Sequence, residues 1–185
     1  MYYWFSILNL YKKIRPLKRP FLFLYQIKVM NIFYINNDPT LAARELADDH
    51  IRKMQIESAQ MCCTAHWETG GTAPYKRAHK NHPSTIWARQ SIQHYRWLIA
   101  HGLEICSEFT KRYGKRHKTQ DILEWCKTNE PNIPDNGFTT PPQCMPDQFK
   151  GPDTLEAYKR FYVLDKVGVK GLSWNKLNNK PSWVV

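Results

Sequence analysis

The segment between Pro83 and Gly114 constrains the fold of this chain more than any other feature. No proline interrupts it, and mostly apolar residues recur every three or four positions, which is the period of one helix face. That stripe comprises Trp87, Ser91, Tyr95, Leu98, Gly102, Cys106, Phe109 and Tyr113. Proline suits the first turn of a helix, and glycine suits the residue just past its end. The sequence therefore predicts one long core helix here.

A second long helix is predicted nearer the N-terminus. Asp38 suits the N-cap and Pro39 the first helical position, and helical spacing then continues to about His66. The expected inward stripe is Ala43, Leu46, Ala47, His50, Met54, Glu57, Met61 and Ala65.

Shorter helices are expected on the C-terminal side. One is predicted from Thr119 to about Lys127. Another is predicted to begin with a D-x-x-E capping box at Asp153 and to end at about Val167. Between them residues 128–152 contain six prolines, so this stretch is predicted to be irregular.

These elements predict a mainly α fold: a compact single domain with two long packed helices, shorter helices and one short N-terminal strand. The strand is expected at Asn31–Ile35, where β-branched and aromatic residues precede a turn sequence. The domain would comprise residues 30–185. Residues 1–29 are predicted to be a basic, aromatic extension outside the native domain, with Met30 as the natural start.

The charge of the chain points to a polyanionic partner, of which nucleic acid is the commonest. The chain carries 27 basic and 16 acidic residues, a net charge of +11. Residues 1–29 hold six of the basic residues and no acidic one, so the remainder has a net charge of only +5. The apolar blocks of the extension are shorter than the roughly 18 residues of a membrane-spanning helix, so no membrane partner is expected.

Cysteine usage predicts a reducing compartment. Five cysteines, two of them adjacent at Cys62 and Cys63, do not form a plausible disulfide framework. A cytoplasmic location is the expectation.

Glu57 is the most informative candidate for chemistry. It lies on the apolar stripe one helical turn from Met54 and Met61, and buried carboxylates are paired or have a raised pKa, which suits general acid/base work. His50 and Lys53 lie on the same side and would line one cavity with it. The alternative is a structural ion pair between Glu57 and Lys53 or an arginine of the second long helix.

Two other patterns leave their alternatives open. Cys63, His66, His79 and His82 have spacings that zinc ligands use, although hydrogen-bonded histidines and a packed cysteine are favoured, and no metal or cofactor is predicted. The stretches YKRAHKNHP (75–83), HYRW (94–97) and KRYGKRHK (111–118) interleave basic and aromatic residues, as phosphate-binding surfaces do. Cations at the end of a helix equally favour its dipole without any ligand.

The stretch ELADDHIRKMQIES (45–58) resembles the first helix of the phage pyrimidine-dimer DNA glycosylases of the endonuclease V type. Leu46, Ala47, Asp48 and His50 match the family's segment, and Glu57 falls on the position of its catalytic glutamate. Related uncharacterised phage proteins share the patterns found here at Glu57–His66, His82–Arg89 and Lys180–Trp183. The resemblance implies a compact, mainly α domain that bends DNA and flips a base.

The chain departs from the family pattern at three places. The family nucleophile is the amine of an N-terminal threonine, which forms an imine with the sugar, whereas Asn31 follows Met30 here. If translation begins at Met1, that amine lies 29 residues away. Two family arginines are replaced by Ile56 and Gln60. The resemblance therefore implies the fold more directly than the activity.

Two functions of different classes follow from these residues. The first is a DNA glycosylase-like enzyme that acts on a flipped or damaged base in double-stranded DNA, with Glu57 as acid/base and His50 as its catalytic neighbour. The second is a non-catalytic protein that binds or sequesters a nucleotide or nucleotide-derived ligand in the equivalent pocket. The predicted DNA- or nucleotide-binding residues are Lys53, His66, Tyr75, Lys76, Arg77, His82, Trp87 and Arg89.

Overall fold

The computed structural model of this protein describes residues 30–184 and shows a mainly helical, compact chain. The predicted extension 1–29 lies outside the described residues. The α-helices are α1 (Pro39–Arg44), α2 (Asp48–Ile51), α3 (Met54–Glu68), α4 (Pro83–Ala88), α5 (Ile92–Tyr113), α6 (Thr119–Thr128) and α7 (Thr154–Phe161). A 3₁₀ turn at Asp147–Phe149 precedes α7, and a π-helical turn at Tyr162–Val167 continues it.

The first predicted long helix is divided into α1, α2 and α3, so the expectation of one continuous helix was wrong. Tertiary partners take the backbone groups at the first break. The Arg112 guanidinium donates to the carbonyls of Arg44 and Leu46, and the N–H of Ala47 donates to the Tyr162 hydroxyl. These partners replace the hydrogen bonds that the same backbone groups would form within a continuous helix. The chain can therefore bend between α1 and α2 while these groups stay hydrogen-bonded.

The second predicted helix starts at Pro83 and ends at Gly114 as expected, but it is interrupted after α4. Ser91 has an extended backbone, and its hydroxyl accepts the N–H of Gln93 and of Asn136. The hydroxyl thus caps α5 and ties it to the proline-rich segment. At the other end Gly114 adopts φ 67°, a left-handed conformation that glycine adopts readily.

Helices α3, α5 and α6 pack together into the main core, with Gly102 at their closest approach. A Cβ atom added at Gly102 would lie 3.0 Å from a methyl of Leu123 in α6 and 3.1 Å from the Cβ of Ser58 in α3. Helix α5 packs against α3, the last of the three helices into which the first predicted long helix is divided.

The segment at residues 30–35, where the short strand was predicted, is buried but is assigned no regular secondary structure. The Asn31 side-chain oxygen accepts the N–H groups of both Ile32 and Phe33, and Phe33 has φ 51°. A side chain that binds the following backbone in this way competes with strand pairing. The segment therefore crosses the core as a bent chain.

The C-terminal part of the chain folds back over α1 and α2. Asp153 caps α7 by accepting the N–H of Glu156, as the capping box predicted, and the helical turns extend to Val167. Residues 129–152 are irregular, as was expected from residue 128 onward, apart from the 3₁₀ turn. Beyond them, the indoles of Trp174 and Trp183 donate to the backbone and the carboxylate of Glu45. These contacts hold the C-terminal segment beside α2.

Candidate active site

Glu57 lies half-buried in the first turn of α3, where the buried N-terminal segment meets the proline-rich segment. The backbone N–H of Asn31 donates to Glu57 Oε2 at 2.9 Å. The Asn31 amide donates in turn to the carbonyl of Cys144 at 2.8 Å, and the Cys144 thiol lies 3.2 Å from the Ser84 hydroxyl. Asn31 thus links the Glu57 carboxylate to the proline-rich segment, and Cys144 links that segment to α4.

His50 is buried beside the same N-terminal segment. Its ring stacks on Phe33 at 4.2 Å, and its Nδ1 is 2.7 Å from the Tyr162 hydroxyl. That hydroxyl accepts the N–H of Ala47, so its own hydrogen can be donated to Nδ1 of a neutral ring. Burial, and then the positive charges of nearby lysines, hold the pKa of His50 well below its usual range. His50 is therefore suited to orient Phe33 as a neutral ring.

Two other predicted binding residues, His66 and Trp87, lie away from Glu57. His66 is at the opposite end of α3, and Trp87 is in the core. His66 is buried, with Nε2 2.9 Å from the Tyr95 hydroxyl. It follows Glu57 by nine residues, which corresponds to about 13 Å along a helix axis. Trp87 is buried too, stacks on His94 at 4.5 Å and donates its indole N–H to the carbonyl of Thr139. These contacts give both side chains partners within the core.

The remaining predicted binding residues are spread along the surface from α3 to α4. The Arg77 guanidinium pairs with Glu68 at 2.8 Å, and Arg89 donates to the carbonyls of Lys80 and Thr85. His82 caps α4 by accepting the N–H of Ser84. The hydroxyl of half-buried Tyr75 lies 3.1 Å from that of Thr119, while Lys76 and Lys53 are exposed. Of this set, Lys53 lies nearest to Glu57 in sequence, at the start of α3.

The basic stretch at the end of α5 is largely engaged within the protein. Arg112 is buried and donates to Glu108 and Asp48. Arg116 pairs with Asp121 and Glu124 on α6. Arg112 and Arg116 therefore bind carboxylates of the protein itself, where the basic pattern had also allowed contacts with phosphate.

Asn31 was noted in the sequence only as the first residue of the expected strand and as the residue that follows Met30, and its contact with Glu57 was not predicted. Five other residues of the site were missed, namely Phe33, Cys144, Tyr162, Lys166 and Lys170. Each lies far along the chain from Glu57 or His50. The one signal that could have indicated the lysines is the excess of basic residues after residue 153.

The potential zinc ligands are not brought together. Cys63 lies 3.8 Å from Cys126, sulfur to sulfur, while His66 contacts Tyr95. Within residues 30–184 no group of three or more histidine, cysteine, aspartate or glutamate side chains could hold a metal ion. Among the same residues, no helix is both long enough and apolar enough to cross a bilayer.

The described chain is mainly helical, and its half-buried Glu57 carboxylate accepts a backbone N–H from a segment distant in sequence. The family model of pyrimidine dimer DNA glycosylase matches residues 30–121, which include α1 to α5, Asn31 and Glu57. The chain belongs to this family and is a pyrimidine-dimer DNA glycosylase-like protein, with DNA as the partner that the family suggests. No curated protein and no solved structure matches it.

Proposed function

We propose that this protein is a DNA N-glycosylase that removes a damaged pyrimidine from duplex DNA, with Glu57 as its acid/base carboxylate. The observation that carries the proposal is the 2.9 Å hydrogen bond from the backbone nitrogen of Asn31 to Glu57 Oε2. Both residues lie in the part of the chain that the family model matches. Through this contact the backbone nitrogen of Asn31 lies within hydrogen-bond distance of the Glu57 carboxylate.

The nitrogen of Asn31 is an amide in the chain as it stands and would be an α-amine in a protein processed after Met30. Such an amine, in its neutral form, attacks C1′ of the damaged nucleotide. The C1′–N bond breaks, and its electron pair leaves with the base, which takes up a proton from water. Glu57 accepts the proton that the attacking amine loses and returns it to O4′ as the sugar ring opens to leave a protonated imine. A carboxylate within hydrogen-bond reach of the amine suits this proton transfer.

The substrate base must leave the helical stack to reach this position. Flipping exposes C1′ and is least costly for a damaged base, whose stacking and pairing are already weakened. In the proposed complex Lys53 contacts a phosphate next to the flipped nucleotide. Buried His50 would act as a positioning residue, through its stacking on Phe33.

The test uses protein that begins at Asn31 and a duplex oligonucleotide with a single thymine dimer. We expect the wild type to cleave the C1′–N bond of one thymine of the dimer, whose base stays joined to its neighbour through the cyclobutane ring, and to nick the strand. Borohydride reduction should trap a covalent adduct. The Glu57→Gln variant should lose about 10²-fold or more in turnover, as loss of a general acid/base does, while keeping its affinity for DNA.

Glu68→Gln provides the matched control, because Glu68 lies on the same helix and pairs with Arg77 at its far end. We expect this variant to retain turnover. Full activity of Glu57→Gln would remove Glu57 from the mechanism. Absence of C1′–N cleavage and of strand nicking in any dimer-containing duplex would overturn the proposed activity.

A further inference from the structure

The positive charge of the described chain is concentrated after residue 153. Residues 30–153 contain 15 basic and 14 acidic residues, which nearly cancel. Residues 154–184 contain six basic and only two acidic residues. This segment lies beyond the region that the family model matches. The surplus therefore belongs to a part of the chain outside the matched region.

Two lysines of this segment share one carboxylate. Lys166 Nζ lies 3.0 Å from Asp165 Oδ2, and Lys170 Nζ lies 3.8 Å from the same oxygen. One carboxylate cannot neutralise two ammonium groups, so a net positive charge remains. Lys166 is also held in place by aromatic rings, with Nζ 4.4 Å from the ring centre of Phe161 and 5.6 Å from that of Phe33.

Lys53 extends this positive surface toward the candidate active site. It is exposed, lies at the N-cap of α3 and precedes Glu57 by one helical turn. No carboxylate of the described residues lies within ion-pair distance of it. The backbone N–H of Lys53 donates to the carbonyl of His50, and Lys166 lies over the Phe33 ring that stacks on His50, so Lys53 and the lysine pair flank the same residue. The positive charges of all three lysines accordingly lower the pKa of His50.

The start of α3 adds a weaker contribution of the same sign. Its N-cap is a lysine that makes no side-chain capping bond, and the positive end of the helix dipole lies there. The lysines remain the principal feature, because the helix end alone would attract any anion. By contrast, Arg77, Arg96 and Arg116 elsewhere on the surface are paired with carboxylates.

We propose that Lys53, Lys166 and Lys170, here called the lysine cluster, bind the phosphate backbone of duplex DNA beside the Glu57 site. The inference rests on the proposed function, since it assigns the surface on which that substrate lies. Ammonium groups neutralise phosphates and release counterions, without reading the base sequence. The C-terminal segment thus supplies a DNA-binding surface, and its tryptophan contacts to Glu45 hold that surface in place.

The test measures binding of a short fluorescent duplex without damage, by anisotropy, over a range of salt concentrations. The double variant Lys53→Gln/Lys170→Gln removes the two most exposed charges of the cluster. Each phosphate contact that is lost should lower the slope of log affinity against log salt by about 0.9. We therefore expect the double variant to lower the slope by about two, with weaker binding at every salt concentration.

The matched control is Lys115→Gln/Lys127→Gln, which removes two exposed charges outside the cluster. This control should keep the wild-type slope. Lys53→Arg/Lys170→Arg should keep it as well, because the charge is retained. Thermal unfolding of each variant shows that the fold is intact.

Three outcomes would overturn the proposal: an unchanged slope in the cluster variant, an equal fall in the control, or no duplex binding by the wild type. Because undamaged duplex is not cleaved, the slope is independent of chemistry. A wild type that binds through the cluster but neither cleaves the C1′–N bond nor nicks the dimer-containing duplex would contradict the glycosylase proposal alone.

Discussion

Gln55, near the candidate active site, is a polar side chain whose burial lowers the stability of the protein. It is completely buried in the first turn of α3, and neither its amide oxygen nor its amide nitrogen has a hydrogen-bond partner within the described part of the chain. An unsatisfied buried amide lowers stability by about 1–3 kcal/mol. Gln55 precedes Glu57 by two residues, so the loss of stability arises in the helical turn that also contains the Glu57 carboxylate.

Replacing this amide by an apolar side chain of similar shape should stabilise the protein. We expect Gln55→Met to raise the free energy of unfolding by about 1–3 kcal/mol, because methionine has no polar group to desolvate. Chemical denaturation followed by circular dichroism measures the change. The comparison is Gln120→Met on the surface of α6, which should change stability by less than about 0.5 kcal/mol. A destabilised Gln55→Met protein would show that the amide has a partner in the folded state.

Arg112 connects the end of α5 to the α1–α2 bend. Its side chain is fully buried, and it donates to two backbone carbonyls as well as to Asp48 at 3.1 Å and Glu108 at 3.1 Å. The planar guanidinium has five donors, so it can serve all four acceptors at once. This single side chain therefore determines how α5 meets the element that precedes Glu57.

Removal of the guanidinium should separate these elements. We expect Arg112→Met to lower the free energy of unfolding by about 3–5 kcal/mol, because Glu108 and two carbonyls would lose their buried partner. Urea denaturation gives the value. Lys111→Met is the neighbouring control: its side chain is 48% exposed, and a surface ion pair contributes about 0–1 kcal/mol. Similar losses in the two variants would contradict the bridging role of Arg112.

Histidine burial affects the whole molecule. The pKa values of His50, His66, His82, His94, His101 and His117 are all lowered, with burial as the largest cause for each. Fully buried His101, which stacks on Trp97 at 5.0 Å, has its pKa lowered to about 3. In the unfolded chain these rings take up protons near pH 6.5, whereas in the folded protein they take them up at lower pH.

The protein should therefore lose stability as the pH falls. Between the folded and unfolded pKa values the unfolded state binds more protons, so acidification favours unfolding. Each buried histidine contributes at most about 1.4 kcal/mol per pH unit. We expect the free energy of unfolding to fall between about pH 7 and pH 5, where most carboxylates remain charged. His101→Phe should make that fall less steep, and an identical pH profile would show that His101 does not contribute.

The sequence determined the features that depend on atoms a few residues apart. The helix limits at Pro83, Gly114 and Asp153 were predictable because capping is local. The helical spacing and the resemblance also singled out Glu57 as the candidate carboxylate. Family membership and the mainly helical fold followed from the same residues.

The positions at which the helices break, and the residues that face Glu57, depend on tertiary contacts. The bend before α2 depends on Arg112 and Tyr162, which follow it by more than 60 and 100 residues respectively. Asn31 meets Glu57 across 26 residues, and Lys166 approaches His50 only because the chain folds back over α2. Such contacts depend on packing between distant segments, and a one-dimensional pattern does not specify which distant segments will meet.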